Sequence, residues 1–141
     1  MTILVVGASG ATGKRLVAEL ITQGEKVKII VRETAVLSEN IKVHENVTII
    51  LGDILKLSED ELLSHVKGCR AVVSCLGHNL SFKGIFGSPQ RLVTLAAERL
   101  CTAIKQVSNI EPIKFILMNS TGNQNEKDII YPANSIRILH R

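Results

Sequence analysis

The sequence is poor in aromatic side chains. Trp is absent, and only one Tyr and three Phe occur among the 141 residues. Proteins that bind single-stranded nucleic acid by stacking need several aromatic side chains, which argues against that class. Hydrophobic residues nevertheless make up 45% of the chain. We therefore expect an aliphatic core, and the length suits one domain, residues 1–141, with a single core.

The sequence also has no long stretch in which all charged residues carry the same sign. The formal net charge is +4, but acidic residues interrupt the basic ones, as where Glu19 follows Lys14 and Arg15. Such mixed charge is typical of a solvated surface and does not predict a nucleic-acid interface. A few of these cations remain candidates for contacts with an anionic small molecule.

Cysteine pairs and long hydrophobic runs are missing as well. The three cysteines, Cys69, Cys75 and Cys101, form no C-x-x-C pair, and their odd number argues against a disulfide framework or a zinc site. No apolar run approaches the ~20 residues that a membrane-spanning helix needs. The first residues also lack the basic start of a signal peptide. We therefore expect a cytoplasmic protein without membrane contact.

Short apolar runs alternate with helical patterns along the chain. Five runs have the length and composition of buried strands, at residues 3–6, 27–31, 47–51, 71–76 and 113–118. Helices are predicted over 13–23, from the capping box at Ser58 to Gly68, and from Ser88-Pro89 to about Val107. The polar stretch 33–46 holds at most a weak helical turn. This alternation predicts an α/β fold with three layers, a doubly wound parallel sheet in strand order 3-2-1-4-5 between helices.

The end of the chain has no stop signal. Asn134 is a candidate cap for a helix through Ile136, Ile138 and Leu139, and the sequence ends two residues later. We therefore expect the chain to be a fragment, or the ordered part, of a longer protein whose C-terminal substrate-binding part is absent.

A glycine-rich loop joins the first strand to the first helix, with the sequence Gly7, Ala8, Ser9, Gly10, Ala11, Thr12, Gly13. We expect Gly7 to allow the tight turn, Gly10 to let a pyrophosphate approach the backbone, and Gly13 to let the helix pack close to the sheet. The helix N-terminus would face the phosphates. The loop predicts a Rossmann-type dinucleotide site, although the spacing is GxxGxxG rather than GxGxxG. The alternative is a glycine-rich turn without a ligand.

Arg32 ends the second strand, where an NAD-specific site would carry a carboxylate for the adenosine ribose. An Arg can pair with the 2′-phosphate of NADP, so we favour NADP(H) over NAD(H). Lys14 or Arg15 could assist, whereas Glu33 argues mildly against this interpretation. The alternative is a solvated Arg at a strand end.

Two further segments follow strands three and four. The carboxylate of Asp53 could accept a hydrogen bond from the adenine amino group while Ile54 packs against the ring; the alternative is a turn-forming Asp. Cys75, Leu76 and Gly77 follow the fourth strand, where a glycine would let a ribose lie against the backbone. Cys75 itself is predicted to be a small core residue.

These segments together resemble a known family. The sequences GASGATG, IIVR, LGDIL, SCLG and, at 118–122, MNSTG are similar to those of atypical short-chain dehydrogenase/reductase proteins with NAD(P)H-binding NmrA-like domains. The biliverdin/flavin reductase branch is the most similar, because it also has an Arg after the second strand. The resemblance implies that these segments hold the adenosine, pyrophosphate and nicotinamide ribose of NADP(H).

The catalytic residue is less well defined. Such reductases often carry a Ser or Thr where Ser120 stands; it would donate a hydrogen bond to a substrate carbonyl, or else cap local backbone. The usual Tyr-x-x-x-Lys pair is missing, because Ser135 stands four residues after Tyr131. His78 and His140 are more typical of surface residues than of proton relays.

Two functions are compatible with these observations. One is an NADPH-dependent reductase that transfers hydride to a small-molecule substrate such as a flavin, a tetrapyrrole or a quinone-like acceptor. The other is a non-catalytic NADP(H) sensor of the NmrA-like kind, which would report to a protein partner. The missing Tyr/Lys pair favours the sensor, and the resemblance to flavin reductases favours the enzyme.

Overall fold

The computed structural model describes residues 1–77, 89–107, 112–118 and 136–139, with only the backbone described at 89–91 and 136–139. Its elements are β1 (Thr2–Val6), α1 (Ala11–Thr22), β2 (Lys26–Val31), α2 (Glu39–Lys42), β3 (Val47–Leu51), α3 (Glu59–Val66), β4 (Cys69–Ser74), α4 (Pro89–Gln106), β5 (Lys114–Met118) and β6 (Ile136–Leu139). The weak turn expected within 33–46 is the four-residue helix α2. Ser88, the predicted cap of α4, lies outside the described residues.

The sheet has the predicted doubly wound topology. Its strand order is β3-β2-β1-β4-β5-β6, and β1 to β5 pair in parallel. β1 lies in the middle, where Val5 pairs with Ile29 of β2 on one side and with Val73 of β4 on the other. Consecutive strands are added outward from β1 in one direction and then in the other. The carboxyl ends of β1 and β4 therefore diverge into separate connections at the centre of the sheet.

Both faces of the central strands are buried. Ile3 and Val5 pack with Val17 of α1 and Ile41 of α2 on one face. Leu4 and Val6 pack on the opposite face, in a cluster that also contains the following residues of α3 and α4: Leu62, Val66, Ala96, Leu100 and Ala103. Side chains of a strand alternate between faces, so a continuous run of aliphatic residues fills both layers. The predicted aliphatic core and three-layer arrangement are confirmed.

The C-terminal prediction is wrong. Residues Ile136–Leu139 form a strand, β6, which pairs antiparallel with β5 in the register Met118 to Ile136 and Phe115 to Leu139. The prediction took the apolar residues after Asn134 as one face of a helix. A run this short fits either element, and the open edge of β5 supplies backbone hydrogen bonds that a single helical turn cannot match.

The helix starts follow local chemistry. At α3 the predicted capping box is present: the Glu61 amide donates to Ser58 Oγ at 3.2 Å, and the Ser58 amide donates to Glu61 Oε2 at 2.8 Å. The Ser58 hydroxyl also donates to Glu61 Oε2, at 2.9 Å, and the bonds from the Ser58 amide and then from this hydroxyl lower the pKa of the Glu61 carboxyl. α1 begins at Ala11, two residues before the predicted start, and its cap is Gly10, which has no side chain to offer. The N-terminus of α3 is thus closed by its own residues, whereas that of α1 is not.

Candidate functional site

Two glycines of the β1–α1 loop are required by the packing of the protein itself. Gly7 has φ +82°, and a Cβ there would lie 2.8 Å from the carbonyl carbon of Cys75. A Cβ at Gly13 would lie 2.1 Å from the carbonyl oxygen of Gly7. Neither distance is compatible with a side chain, because the obstructing atoms are backbone. Gly13 therefore allows α1 to pack against the loop at the end of β1, which refines its expected role of close packing on the sheet.

Gly10 differs from these two. Its φ is −74°, which any residue adopts, and the nearest atom to an added Cβ is the Gly7 carbonyl oxygen at 3.4 Å, an ordinary contact. Packing among the described residues therefore gives no reason for a glycine here. A ligand that approaches this backbone closely does give one. The open space beside Gly10 fits the predicted approach of a pyrophosphate.

The N-terminus of α1 presents backbone donors at the same place. The helical ladder begins where the Lys14 amide donates to the Gly10 carbonyl at 2.9 Å. Helix geometry leaves the amides of the first turn, Ala11 to Gly13, without partners within the helix. Within the described part of the chain, no side chain caps this end and the first turn has no acidic residue. Free amides of this kind and the positive end of the helix dipole are the features with which a helix N-terminus can bind an anion.

A groove runs from this loop along the carboxyl edge of the sheet. It is lined by residues from the ends of β1, β2, β3 and β4 and from α4: Val6, Gly7, Ser9, Ile30, Val31, Arg32, Gly52, Asp53, Ile54, Leu76 and Leu92. Six of the predicted site residues are therefore brought together: Gly7, Ser9, Arg32, Asp53, Ile54 and Leu76. In doubly wound sheets, ligands bind at this edge because the connections on either side of β1 leave a crevice there.

Asp53 forms a turn and also lies at the groove. Its Oδ1 accepts a hydrogen bond from the Leu55 amide at 2.9 Å, and its carbonyl accepts from the amides of Lys56 at 2.8 Å and Leu57 at 3.0 Å. Asp53 thus forms the turn after β3, as the alternative proposed. The same turn holds its half-buried carboxylate at the groove.

Arg32 and Ile54 line the groove together with Asp53. Arg32 is half-buried at the end of β2, and its carbonyl accepts from the Ala35 amide at 2.9 Å. Ile54 is buried in the α3/α4 cluster while one side of it reaches the groove. The groove lining therefore includes a cation, a carboxylate and an apolar side chain, a combination that suits a base and a phosphorylated ribose.

The segment after β4 contributes mainly backbone. Cys75 is buried, its amide donates to the Val6 carbonyl at 2.8 Å, and burial raises the pKa of its thiol to about 11. The predicted core role of Cys75 is confirmed, and at neutral pH its thiol stays protonated and weakly nucleophilic. Gly77 is half-buried, and a Cβ there would meet nothing within 4 Å.

The remaining residues of the glycine-rich loop differ in how far their side chains are buried. Ala8 is fully buried in the α1 side of the core, whereas Ala11 and Thr12 are exposed in the first turn of α1. Ala8 therefore contributes backbone rather than a side-chain contact to any ligand. Ser120, the predicted catalytic residue, lies outside the described residues, as do His78, Tyr131, Ser135 and His140.

Sequence reasoning missed the apolar floor of the groove. Val6, Ile30 and Val31 were assigned only to strands, and Leu92 only to the buried face of a helix. Val6, Ile30 and Val31 stand at strand ends, and that position could have predicted their place in the groove. The place of Leu92 in the groove depends on how α4 packs and has no such signal in the sequence. Residues 1–77, 89–107 and 112–118 contain no group of His, Cys, Asp and Glu that could hold a metal ion. No helix within the described ranges is long and apolar enough to cross a membrane.

Comparison with known proteins agrees with this geometry. The family model described as NAD(P)H-binding matches residues 7–134, which include the whole groove except Val6. Among curated proteins, no sequence matches the chain significantly.

Solved structures share the fold. MoeE5 in complex with UDP-glucose and NAD is 28% identical, with TM-score 0.56, over 74% of this chain and 33% of its own. The Bordetella bronchiseptica enzyme WbmG in complex with NAD is 16% identical, with TM-score 0.61, over 75% and 34%. A Lactobacillus casei protein is 22% identical, with TM-score 0.57, over 79% and 46%.

This chain spans about a third to a half of the length of these structures. The family match, which covers most of the chain, and the shared fold lead to one conclusion: the chain belongs to the NAD(P)H-binding domain family, with the fold of atypical short-chain dehydrogenase/reductase proteins.

Proposed function

We propose that this chain is the NADP(H)-binding domain of an NADPH-dependent reductase whose acceptor is a small molecule such as a flavin, a tetrapyrrole or a quinone-like compound. The observation that carries the proposal is the groove itself. It runs along one sheet edge from Gly7 and Ser9, which directly precede the uncapped N-terminus of α1, to Arg32 and Asp53. An anion site, a cation and a carboxylate in this order match the parts of a phosphorylated adenine dinucleotide.

Each part of the groove has a definite task in this proposal. In this proposal the amides of Ala11, Thr12 and Gly13 bind the pyrophosphate, and the hydroxyl of Ser9, a groove-lining residue, donates to it. Asp53 accepts from the adenine amino group, and Ile54 packs against the ring. The backbone at Leu76 and Gly77 leads toward the nicotinamide ribose. The bound NADPH supplies hydride chemistry, while these residues bind and orient it and exclude water.

Arg32 supports NADP(H) rather than NAD(H). Two of the similar structures, MoeE5 and WbmG, are complexes with NAD according to their descriptions. In this chain the end of β2 carries a guanidinium at the groove where an NAD site typically has a carboxylate. A guanidinium pairs with a phosphate through two parallel hydrogen bonds, whereas it gains little from a ribose hydroxyl.

A second candidate is a sensor that binds NADP(H) without turnover and reports to a protein partner. The missing Lys four residues after Tyr131 favours it, because a phenol without a neighbouring cation is a weak general acid.

Turnover separates the two candidates. We expect steady-state NADPH oxidation with at least one member of a panel of flavins, quinones and linear tetrapyrroles. The same preparation should be titrated with NADP+ and NADPH by calorimetry. Tight but unequal binding of the two forms, with no oxidation above the acceptor-free rate, would contradict the reductase and support the sensor.

Gly10→Val should abolish dinucleotide binding while the chain still folds. The added Cβ meets only the Gly7 carbonyl oxygen, at contact distance, and the valine side chain would occupy the space that the pyrophosphate needs. Ala18→Val is the matched control, because it places the same side chain on the exposed face of the same helix. Circular dichroism and an NADPH titration measure both effects. Unchanged affinity in folded Gly10→Val would remove the loop from the binding site.

Arg32→Ala should weaken NADPH binding about 10- to 100-fold and leave NADH binding nearly unchanged, since a charge-assisted hydrogen bond contributes roughly 1.5–3 kcal/mol. The difference should shrink at high salt, because the contact is partly solvated. Arg70→Ala is the control: Arg70 is exposed, lies at the opposite edge of the sheet and pairs with Glu25. Calorimetry with both cofactors provides the comparison. Equal losses for NADPH and NADH would mean that Arg32 does not distinguish the 2′-phosphate.

A further inference from the structure

Arg99 of α4 forms a hydrogen bond with the turn after β3, through a residue that does not line the groove. The Nη2 of Arg99 donates a hydrogen bond to the carbonyl oxygen of Leu57, across 42 positions of sequence. Arg99 is half-buried, and it is absent from the groove lining. The contact therefore joins α4 to the turn without touching the groove.

Leu57 transmits this contact to groove residues in two ways. Its amide donates to the Asp53 carbonyl at 3.0 Å, which closes the turn. Its side chain lies against Gly52, where an added Cβ would be 3.0 Å from Leu57 Cδ2. Gly52 and Asp53 both line the groove. Fixing the Leu57 carbonyl consequently fixes the segment that presents the Asp53 carboxylate.

The hydrogen bond to the Leu57 carbonyl is the main polar contact of the Arg99 guanidinium among the described residues. The other side of the residue borders a cleft between α3 and α4, whose lining includes Glu59, Glu98 and Gln106. The buried Nε of Arg99 has no acceptor among the described residues. A half-buried guanidinium with a carbonyl acceptor forms a strong, charge-assisted hydrogen bond, and removing the donor leaves that carbonyl without its partner.

We propose that Arg99 is a positioning residue for the adenosine end of the groove: it acts through Leu57 to hold Asp53 and Ile54 where an adenine would meet them. This inference rests on the proposed dinucleotide function. A hydrogen bond that already orders a ligand-binding turn in the free protein lowers the free-energy cost of ordering that turn when the ligand binds. The glycine loop, on the far side of β2, does not depend on it.

The test compares Arg99→Met, Arg99→Lys and the control Arg70→Met. Met keeps most of the length and apolar stem but cannot donate, whereas Lys restores a single cationic donor. The probes are adenosine 2′,5′-bisphosphate, which needs the β3 turn, and inorganic pyrophosphate, which needs only the glycine loop. Amide hydrogen exchange at Leu55 and Leu57 reports the turn directly, with the Cys75 amide in the sheet as reference.

We expect Arg99→Met to weaken adenosine 2′,5′-bisphosphate roughly 3- to 30-fold, the range of couplings carried through a neighbouring residue. Pyrophosphate affinity and exchange at Cys75 should stay unchanged, while exchange at Leu55 and Leu57 accelerates. Arg99→Lys should restore most of the affinity, and Arg70→Met should match the unmodified chain. If Arg99→Met does not fold, Arg99→Gln, whose amide is too short to reach the carbonyl, replaces it.

Four results would overturn the inference. Unchanged nucleotide affinity and turn exchange in Arg99→Met would remove Arg99 from the site. Equal weakening of both probes would point to a general loss of structure. A failure of Arg99→Lys to recover any affinity, with turn exchange unaltered, would exclude the Leu57 contact as the route. If the unmodified chain binds neither NADPH nor adenosine 2′,5′-bisphosphate, the proposed function and this inference are both wrong. This result is obtained before any variant is made, so it is distinguishable from a failure of the inference alone.

Discussion

The groove depends on the close backbone contact between the end of β1 and the first turn of α1. The Gly7 carbonyl lies where a Cβ on Gly13 would stand, and Gly7 itself lies against the backbone at Cys75. These contacts have no room for side chains, so they fix the angle at which α1 leaves the sheet. The N-terminus of α1 is thereby held at the carboxyl edge, beside the ends of β2, β3 and β4. A looser joint would leave the same residues in the chain but would not assemble a groove.

The core makes that joint rigid. β1 and β4 are buried on both faces, and the Cys75 amide bonds to the Val6 carbonyl at the point where both strands end. Movement of the loop would therefore disturb packing on two sides of the sheet at once. The polar groups of the groove and its surroundings lie at the edge of this rigid layer: the first-turn amides of α1, Arg32 at the end of β2, and Asp53 in the turn after β3. Binding can then use preformed geometry, with little ordering cost.

Much of this could be predicted because it is local. The strands at 3–6 and 27–31 are aliphatic runs that stop at a glycine or a charge, and the Ser58–Glu61 capping box is a four-residue pattern. Parallel order followed from the alternation of strands and helices. The prediction of the groove residues at strand ends used the same rule, since carboxyl ends of parallel strands share one edge.

What could not be predicted depends on contacts distant in sequence. β6 exists because β5 offers an unpaired edge, and nothing in the four residues 136–139 distinguishes that strand from one helical turn. Leu92 and Arg99 reach the β3 side of the molecule only through the packing of α4 against α3. That the turn-forming Asp53 also lies at the groove depends on the register of β3 beside β2.

The central claim is that a dinucleotide binds along the carboxyl edge of this sheet. Nuclear magnetic resonance of the labelled chain during an NADPH titration tests it most directly. We expect saturable shifts at the amides of residues 10–13, 32, 53–54 and 76–77, and none at Lys26, Arg70 or Lys114 on the opposite edge. Shifts confined to the opposite edge or to the cleft between α3 and α4, or no saturable shift at all, would contradict it.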